Sequence, residues 1–479
     1  MRPEPLILLP APDCISQNPP NGAQWCVPKQ LNTPMQILAP QWLLCLNNSV
    51  EPLENHAIAI EEDRIVALGT QHALRQTYPT ADWLDLPEHV LMPGLINCHT
   101  HAAMNLLRGA ADDMPLHDWL QQRIWPLESE LADAEFVYDG TVLAAAEMVL
   151  SGTTTFNDMY FFPEQSAQAA VDIGARIVAG MTLIEFPTRY ADHTAQYIER
   201  GLKAKTQFQD HPTVHWSIAP HAPYTVSDPT FSQVLALSNA HNIPIHCHLH
   251  ETASEVQDAV SRDGFRPFER LERLGLINPR FLAIHGVHLN DEELAHMAQA
   301  GATLVHCPSS NLKLASGFAP TAKALAAGVN VVIGTDGAAS NNKLDMWEEA
   351  RLASLLCKGH SGDASAWPAD QLLLSMTAHA AKALGLEHDT GRIAVGLKAD
   401  LIAIELGKQA HQLPNHNLIS KLAYSGSARD VQHVWINGVQ VVHAQQLTGQ
   451  RAELLNEIML KTQRLWQTRV EKVGRAAKT

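Results

Sequence analysis

The sequence has no CxxC pair, no apolar run near the ~20 residues needed to cross a bilayer, and no surplus of basic charge. Each absence excludes something. Seven cysteines scattered over 479 residues read as reduced thiols, with no disulfides expected. The opening segment MRPEPLILLPAP holds only a short apolar run, Leu6 to Leu9, too brief for a signal-peptide core. A soluble, cytoplasmic protein without a membrane partner is the expectation. The 34 basic residues against 50 acidic ones leave a formal net charge of −16. That balance disfavours nucleic acid as a partner, because holding a polyanion rests on Lys and Arg contacts to phosphate.

What is present is globular in style. Apolar residues make up 46% of the chain and charged residues 18%, enough to bury a large core. The length predicts two or three structural units. Residues 1–34 are rich in Pro, Asn and Gln and read as a flexible N-terminal extension, with Met35 as an alternative start. From 35 to 92, QILAPQWLLCL and HAIAIEEDRIVALG are short strands of a β-unit. Between 93 and 386 the pattern becomes apolar strands followed by helical stretches: TTTFNDM, ARIVAGMTL, VHWSIAPHA, PIHCHLH, FLAIHGVHL, ATLVHCPSS and NVVIGTDGAAS. Alternation of this kind predicts parallel βα units closing into a (β/α)8 barrel. Strand style returns over 387–446 in GRIAVGLKADLIAIEL and VQHVWINGVQVVHA, where Asn437-Gly438 predicts a tight hairpin. The two β-segments together predict a composite β-sandwich built from both ends of the chain. Residues 447–479 carry a charged helix, over 451–472, expected on the surface.

Polar residues gather just after the barrel strands, where such a barrel places its site. In PGLINCHTHAAM, His99 and His101 are two apart on a strand and project to one side, as chelating imidazoles must. A chain with 25 histidines can offer such a pair without a metal, so the pair alone decides nothing. In IPIHCHLHET, His246, His248 and His250 alternate, and Glu251 follows His248 by three positions: one imidazole suits a metal and the carboxylate suits proton transfer. FLAIHGVHL adds His285. VVIGTDGAASNN adds Asp336 in a glycine-rich turn, where Gly and Asp also serve as ordinary turn formers. Four strand ends, in sequence order, each bearing a metal-capable or proton-capable group make coincidence a poor account.

These blocks, HTH at 99–101, HxxE at 248–251, His285 and the GTDG around Asp336, resemble the amidohydrolase superfamily over about Met35 to His443. The resemblance implies that His99, His101, His248 and Asp336 bind one divalent metal, zinc or else iron. No bridging lysine is evident, which leans toward the mononuclear deaminase branch. Within that branch RIWPLE (Glu128), SIAPHAPYT (His221), HLHET (Glu251), SSNLKL (309–314) and GTDGAASNNKLDM are similar to the 5-methylthioadenosine/S-adenosylhomocysteine deaminases of the ATZ/TRZ-like group. By that resemblance Glu128 grips ribose hydroxyls, His221 contacts a purine nucleoside, Ser340 lines the same pocket, Glu251 protonates the ring nitrogen, His285 orients water, and Asp336 relays a proton to the leaving amine. It also implies a homo-oligomer, dimer or tetramer. Ordinary roles compete: Glu128 as a solvated helix residue, His221 as a loop cap, Ser340 as a turn residue. Arg189 in FPTRYAD is either a contact for a substrate carboxylate or a solvated arginine. The rival functions are guanine, 8-oxoguanine or cytosine deamination, s-triazine hydrolysis, and a catalytically silent assembly subunit.

Overall fold

The computed structural model describes residues 7–8, 35–47 and 49–476. Eight parallel strands pair in chain order: β1 (Leu95–Thr100), β2 (Thr153–Tyr160), β3 (Arg176–Leu183), β4 (Val214–Pro220), β5 (Ile245–Leu249), β6 (Phe281–His285), β7 (Thr303–His306) and β8 (Asn330–Ile333). Each is buried along nearly its whole length, which is why these segments read as continuous apolar runs rather than as alternation. Just beyond β8 the Asp336 amide donates to the His99 carbonyl at 3.0 Å, drawing the last strand's continuation onto the first. This is the (β/α)8 barrel that the strand–helix alternation predicts.

The second sheet is mixed and composite. The strand Gln36–Leu43 lies parallel to Asp82–Pro93, which pairs antiparallel with Leu401–Glu405, and that strand in turn pairs with Val431–Ile436. Residues from both ends of the chain fill one core, with Leu38, Ile58, Leu91, Leu401 and Trp435 fully buried together. Each such side chain contributes about 1.5–3 kcal/mol on leaving water. Asn437 (φ 51°) and Gly438 (φ 77°) make the two-residue hairpin turn, with Ile436 opposite Val439. In GRIAVGLKADLIAIEL only Leu401–Glu405 is a strand. Gly391 (φ 91°) and Gly396 (φ 94°) break the extended backbone before it, and Gly396 N and Leu397 O bond instead to Ile65.

The extension expected at 1–34 lies outside the described residues apart from Ile7–Leu8, which pair antiparallel with Arg64–Thr70. Cys14 and Cys26 lie outside them too, and the five described cysteines are free and buried. No described helix is long and apolar enough to cross a membrane. The C-terminal helix is more than a surface element. Gln450–Lys461 continues through a wider turn, Thr462–Trp466, into Gln467–Ala476. Trp466 is fully buried, and its Nε1 donates to Asp139 Oδ2 at 2.7 Å. It packs in one cluster with Met104, Trp119 and Tyr160.

The two sheets are tied by a fully buried ion pair. Arg176 at the start of β3 donates through Nε to Asp400 Oδ2 at 2.6 Å and through Nη2 to Oδ1 at 3.0 Å, and the Asn437 amide also donates to Oδ1 at 2.7 Å. Removing one partner strands the other charge away from water. Asp400→Ala is therefore expected to lower unfolding stability by about 3–5 kcal/mol in urea denaturation, a loss that a surface ion pair would not produce.

Candidate metal centre and active-site cavity

The alternation of a strand puts Asn97, His99 and His101 on one side of β1 and its end, while β5 supplies His248, β6 ends on His285, and Asp336 follows β8. His285 (φ 70°), the last residue of β6, and Asp336 (φ 60°), three residues beyond β8, both adopt the left-handed conformation. Ligand atoms of His99, His101 and His248, and again of His99, His285 and Asp336, lie within 4.8 Å of one another. Asp336 Oδ1 is 3.3 Å from both His99 Nε2 and His101 Nε2. Glu251 Oε2 is 3.6 Å from His285 Nε2.

Every imidazole is held by its other nitrogen. His101 Nδ1 is 2.6 Å from Met159 O, His248 Nδ1 is 2.7 Å from His221 O, and His285 Nδ1 is 2.8 Å from Asn311 Oδ1. His99 Nδ1 is 2.8 Å from His246 Nε2. Asp336 Oδ2 accepts from Ser310 Oγ at 2.6 Å and Ser340 Oγ at 2.9 Å, which turns Oδ1 toward the imidazoles. Ser340 thus sits buried against Asp336 and is not among the residues that line the cavity described below.

Burial opposes ionisation of both carboxylates, and their neighbours drive the two to opposite outcomes. For Asp336, contact with His99 and the electrostatic influence of the surrounding imidazoles of His101, His99 and His285 outweigh burial and hold the carboxyl well below its usual range. For Glu251 nothing offsets burial to that extent, and burial followed by the charge of Asp336 pushes it well above its usual range. Burial lowers His99 to about 4 and His221 to about 3, so both are neutral at physiological pH. One acid-ready and one base-ready carboxylate therefore flank the same imidazoles.

The cluster forms the floor of a cavity of about 420 Å3, whose walls include Glu128, Tyr160, Phe186, His221 and, at its rim, Arg189. Glu128 comes from the helix Trp125–Leu131 and accepts from Tyr160 Oη at 2.8 Å. Enclosure pushes its carboxyl up to about 7, an effect opposed by Tyr160. His221 both lines the cavity and bonds Thr225 Oγ1 through Nδ1 at 3.0 Å. Arg189 is partly exposed and 3.3 Å from Asp133 Oδ2. The sequence reading passed over Tyr160, Ser310, Asn311 and the pairing of His246. Tyr160 ends β2 as His285 ends β6, so its strand-end position was the available signal, and Ser310 and Asn311 lie inside the SSNLKL block.

Residues 90–441 match the amidohydrolase family. The chain belongs to that family. This amidohydrolase is 43% identical over 412 residues to a protein of Teredinibacter turnerae named 5-methylthioadenosine/S-adenosylhomocysteine deaminase, covering 86% of the chain and 93% of the relative. It is 41% identical over 434 residues to one of that name from Thermodesulfovibrio yellowstonii, covering 90% and 97%. A crystal structure of an adenosine deaminase from Xanthomonas campestris with bound zinc superposes with a TM-score of 0.87 at 40% identity, covering 91% of this chain and 98% of that one. A triazine hydrolase structure at 22% identity and TM-score 0.82 shares the fold.

The donor set of the amidohydrolase fits a divalent cation. His99 Nε2 is buried without a hydrogen-bond partner, and the 3.3 Å separations from Asp336 Oδ1 match the edge of a tetrahedron whose bonds are about 2.0–2.1 Å. Adding zinc to chelated protein at ~100 times its Kd is expected to stabilise the fold by about 2.7 kcal/mol, read as a rise in Tm. His101→Ala should abolish most of that rise.

Proposed function

We propose that this amidohydrolase is a zinc-dependent deaminase of 5-methylthioadenosine and S-adenosylhomocysteine, releasing ammonia and the inosine analogue. The observation that carries the reading is the placement of Glu251 and Asp336, with opposite protonation preferences, on the floor of a cavity walled by Glu128. The names of the relatives at 43% and 41% identity agree with it.

His99, His101, His248 and Asp336 are the residues that would hold the cation. When bound, it supplies Lewis acidity that makes water a competent nucleophile near neutral pH. Asp336, ionised and fixed by two serine hydroxyls, takes the proton from the attacking water. Glu251 enters protonated and gives its proton to the ring nitrogen beside the reacting carbon, which makes that carbon electrophilic. Asp336 then passes its proton to the exocyclic amine, so ammonia leaves neutral. Glu251 recovers a proton from the new hydroxyl as the carbonyl forms, and both carboxyls return to their starting states. His285, turned by Asn311, orients the water.

The remainder of the nucleoside is met by groups farther up the wall. Glu128, held by Tyr160, accepts from the ribose diol, and neutral His221 bonds the nucleoside. Arg189 offers a guanidinium at the rim to the carboxylate of an amino-acid tail, since its exposed pair with Asp133 is weak.

Ammonia release from methylthioadenosine, S-adenosylhomocysteine, adenosine, guanine, cytosine and a chlorotriazine tests the reading; turnover confined to a free base or the triazine would overturn it. Glu251→Gln is expected to keep its metal while kcat falls about 10²–10⁴-fold. Glu128→Gln should raise KM for nucleosides about tenfold to a hundredfold and spare free bases. The Glu128 carboxyl, at about 7, ionises as pH rises through neutrality, so wild-type KM for methylthioadenosine should fall over that window and the Gln variant should lose the dependence.

A further inference from the structure

Three of the four imidazoles in the cluster are held by groups that can only accept or strongly favour accepting: two backbone carbonyls and the Asn311 side-chain oxygen. Their ring proton is fixed on Nδ1, and Nε2 keeps a free lone pair for a cation. His99 differs. Its Nδ1 faces Nε2 of another imidazole, His246, at 2.8 Å, with the rings perpendicular at 81° and their centroids 4.9 Å apart. Both residues are fully buried. His246 precedes His248 by two positions on β5, so strand alternation carries it to the same side, one step deeper in the barrel.

We propose that His246 is a positioning residue for the metal centre, holding the His99 ring and its proton so that Nε2 is presented to the cation. The inference rests on His99 being a ligand. For Nε2 to offer a lone pair, neutral His99 must carry its proton on Nδ1 and donate it to His246 Nε2. The proton of His246 then lies on its own Nδ1, a buried atom with no hydrogen-bond partner. In the reverse arrangement His246 donates, and the His99 proton sits on Nε2, facing Asp336 Oδ1 at 3.3 Å. Both arrangements carry one proton per ring, and only the first admits a metal. His246 thereby sets the affinity of the centre from a position that touches neither cation nor substrate.

The test is zinc affinity of the full-length chain, freed of metal and titrated in competition with a chromophoric chelator. His246→Leu, which removes the acceptor, is expected to weaken zinc binding about 10–100-fold, while His246→Gln, whose Oε1 reaches the place of Nε2, recovers most of it. His246→Asn, whose shorter amide falls at the level of Nδ1, should resemble Leu. It replaces Leu in the comparison if that chain fails to fold. His306→Leu, the loss of another buried barrel histidine, should leave affinity unchanged. Wild-type affinity in His246→Leu or His246→Asn, or equal losses in the Gln, Asn and His306 variants, would overturn the role. A wild-type chain that binds no zinc would remove the metal centre itself, an outcome distinct from those.

Discussion

The hydrogen bond from the Asp336 amide to the His99 carbonyl, 3.0 Å long, joins the last barrel strand's continuation to the first, and the site exists because of it. The approach is possible because Gly334 has no side chain: a Cβ there would lie 2.8 Å from the His99 amide nitrogen and 3.0 Å from its carbonyl oxygen. The same contact that closes the barrel fixes a carboxylate against two imidazoles whose order in the chain is more than 230 positions earlier. Architecture and ligand geometry are one constraint here, so a change that loosens closure also opens the donor set.

Enclosure then does the chemical sorting. Two carboxylates meet the same low-dielectric surroundings, and their neighbours decide the outcome. Asp336 has imidazoles around it and serine hydroxyls on its far oxygen, whereas Glu251 faces Asp336 itself. Asp336 therefore helps to set the state of Glu251, while the imidazoles set its own, and the division between acid and base follows from those neighbours.

Much of this was legible in the sequence, for a physical reason. Strand alternation is a local rule, so HxH and HxHxHE report which side chains share a face without any knowledge of the fold, and successive strand ends converge in any such barrel. Thus His99, His101, His248, His285 and Asp336 were found together. What escaped depends on contacts between separate segments of the chain: the Tyr160 hydroxyl on Glu128, and the Ser310 hydroxyl on the far oxygen of Asp336. The C-terminal helix reads as a surface element because its deep anchors, Ile458 and Trp466, stand among charged residues.

The composite sheet has a consequence for how the molecule comes into being. Its N-terminal strands leave the ribosome long before their antiparallel partners at 401–405 and 431–436, with the whole barrel made in between. Until those partners emerge, Asp82–Pro93 presents an unsatisfied sheet edge and Arg176 has no counter-ion, so the nascent chain must remain shielded through most of translation. The composite sheet can therefore close only after residues 401–436 have been made, later than the last barrel strand.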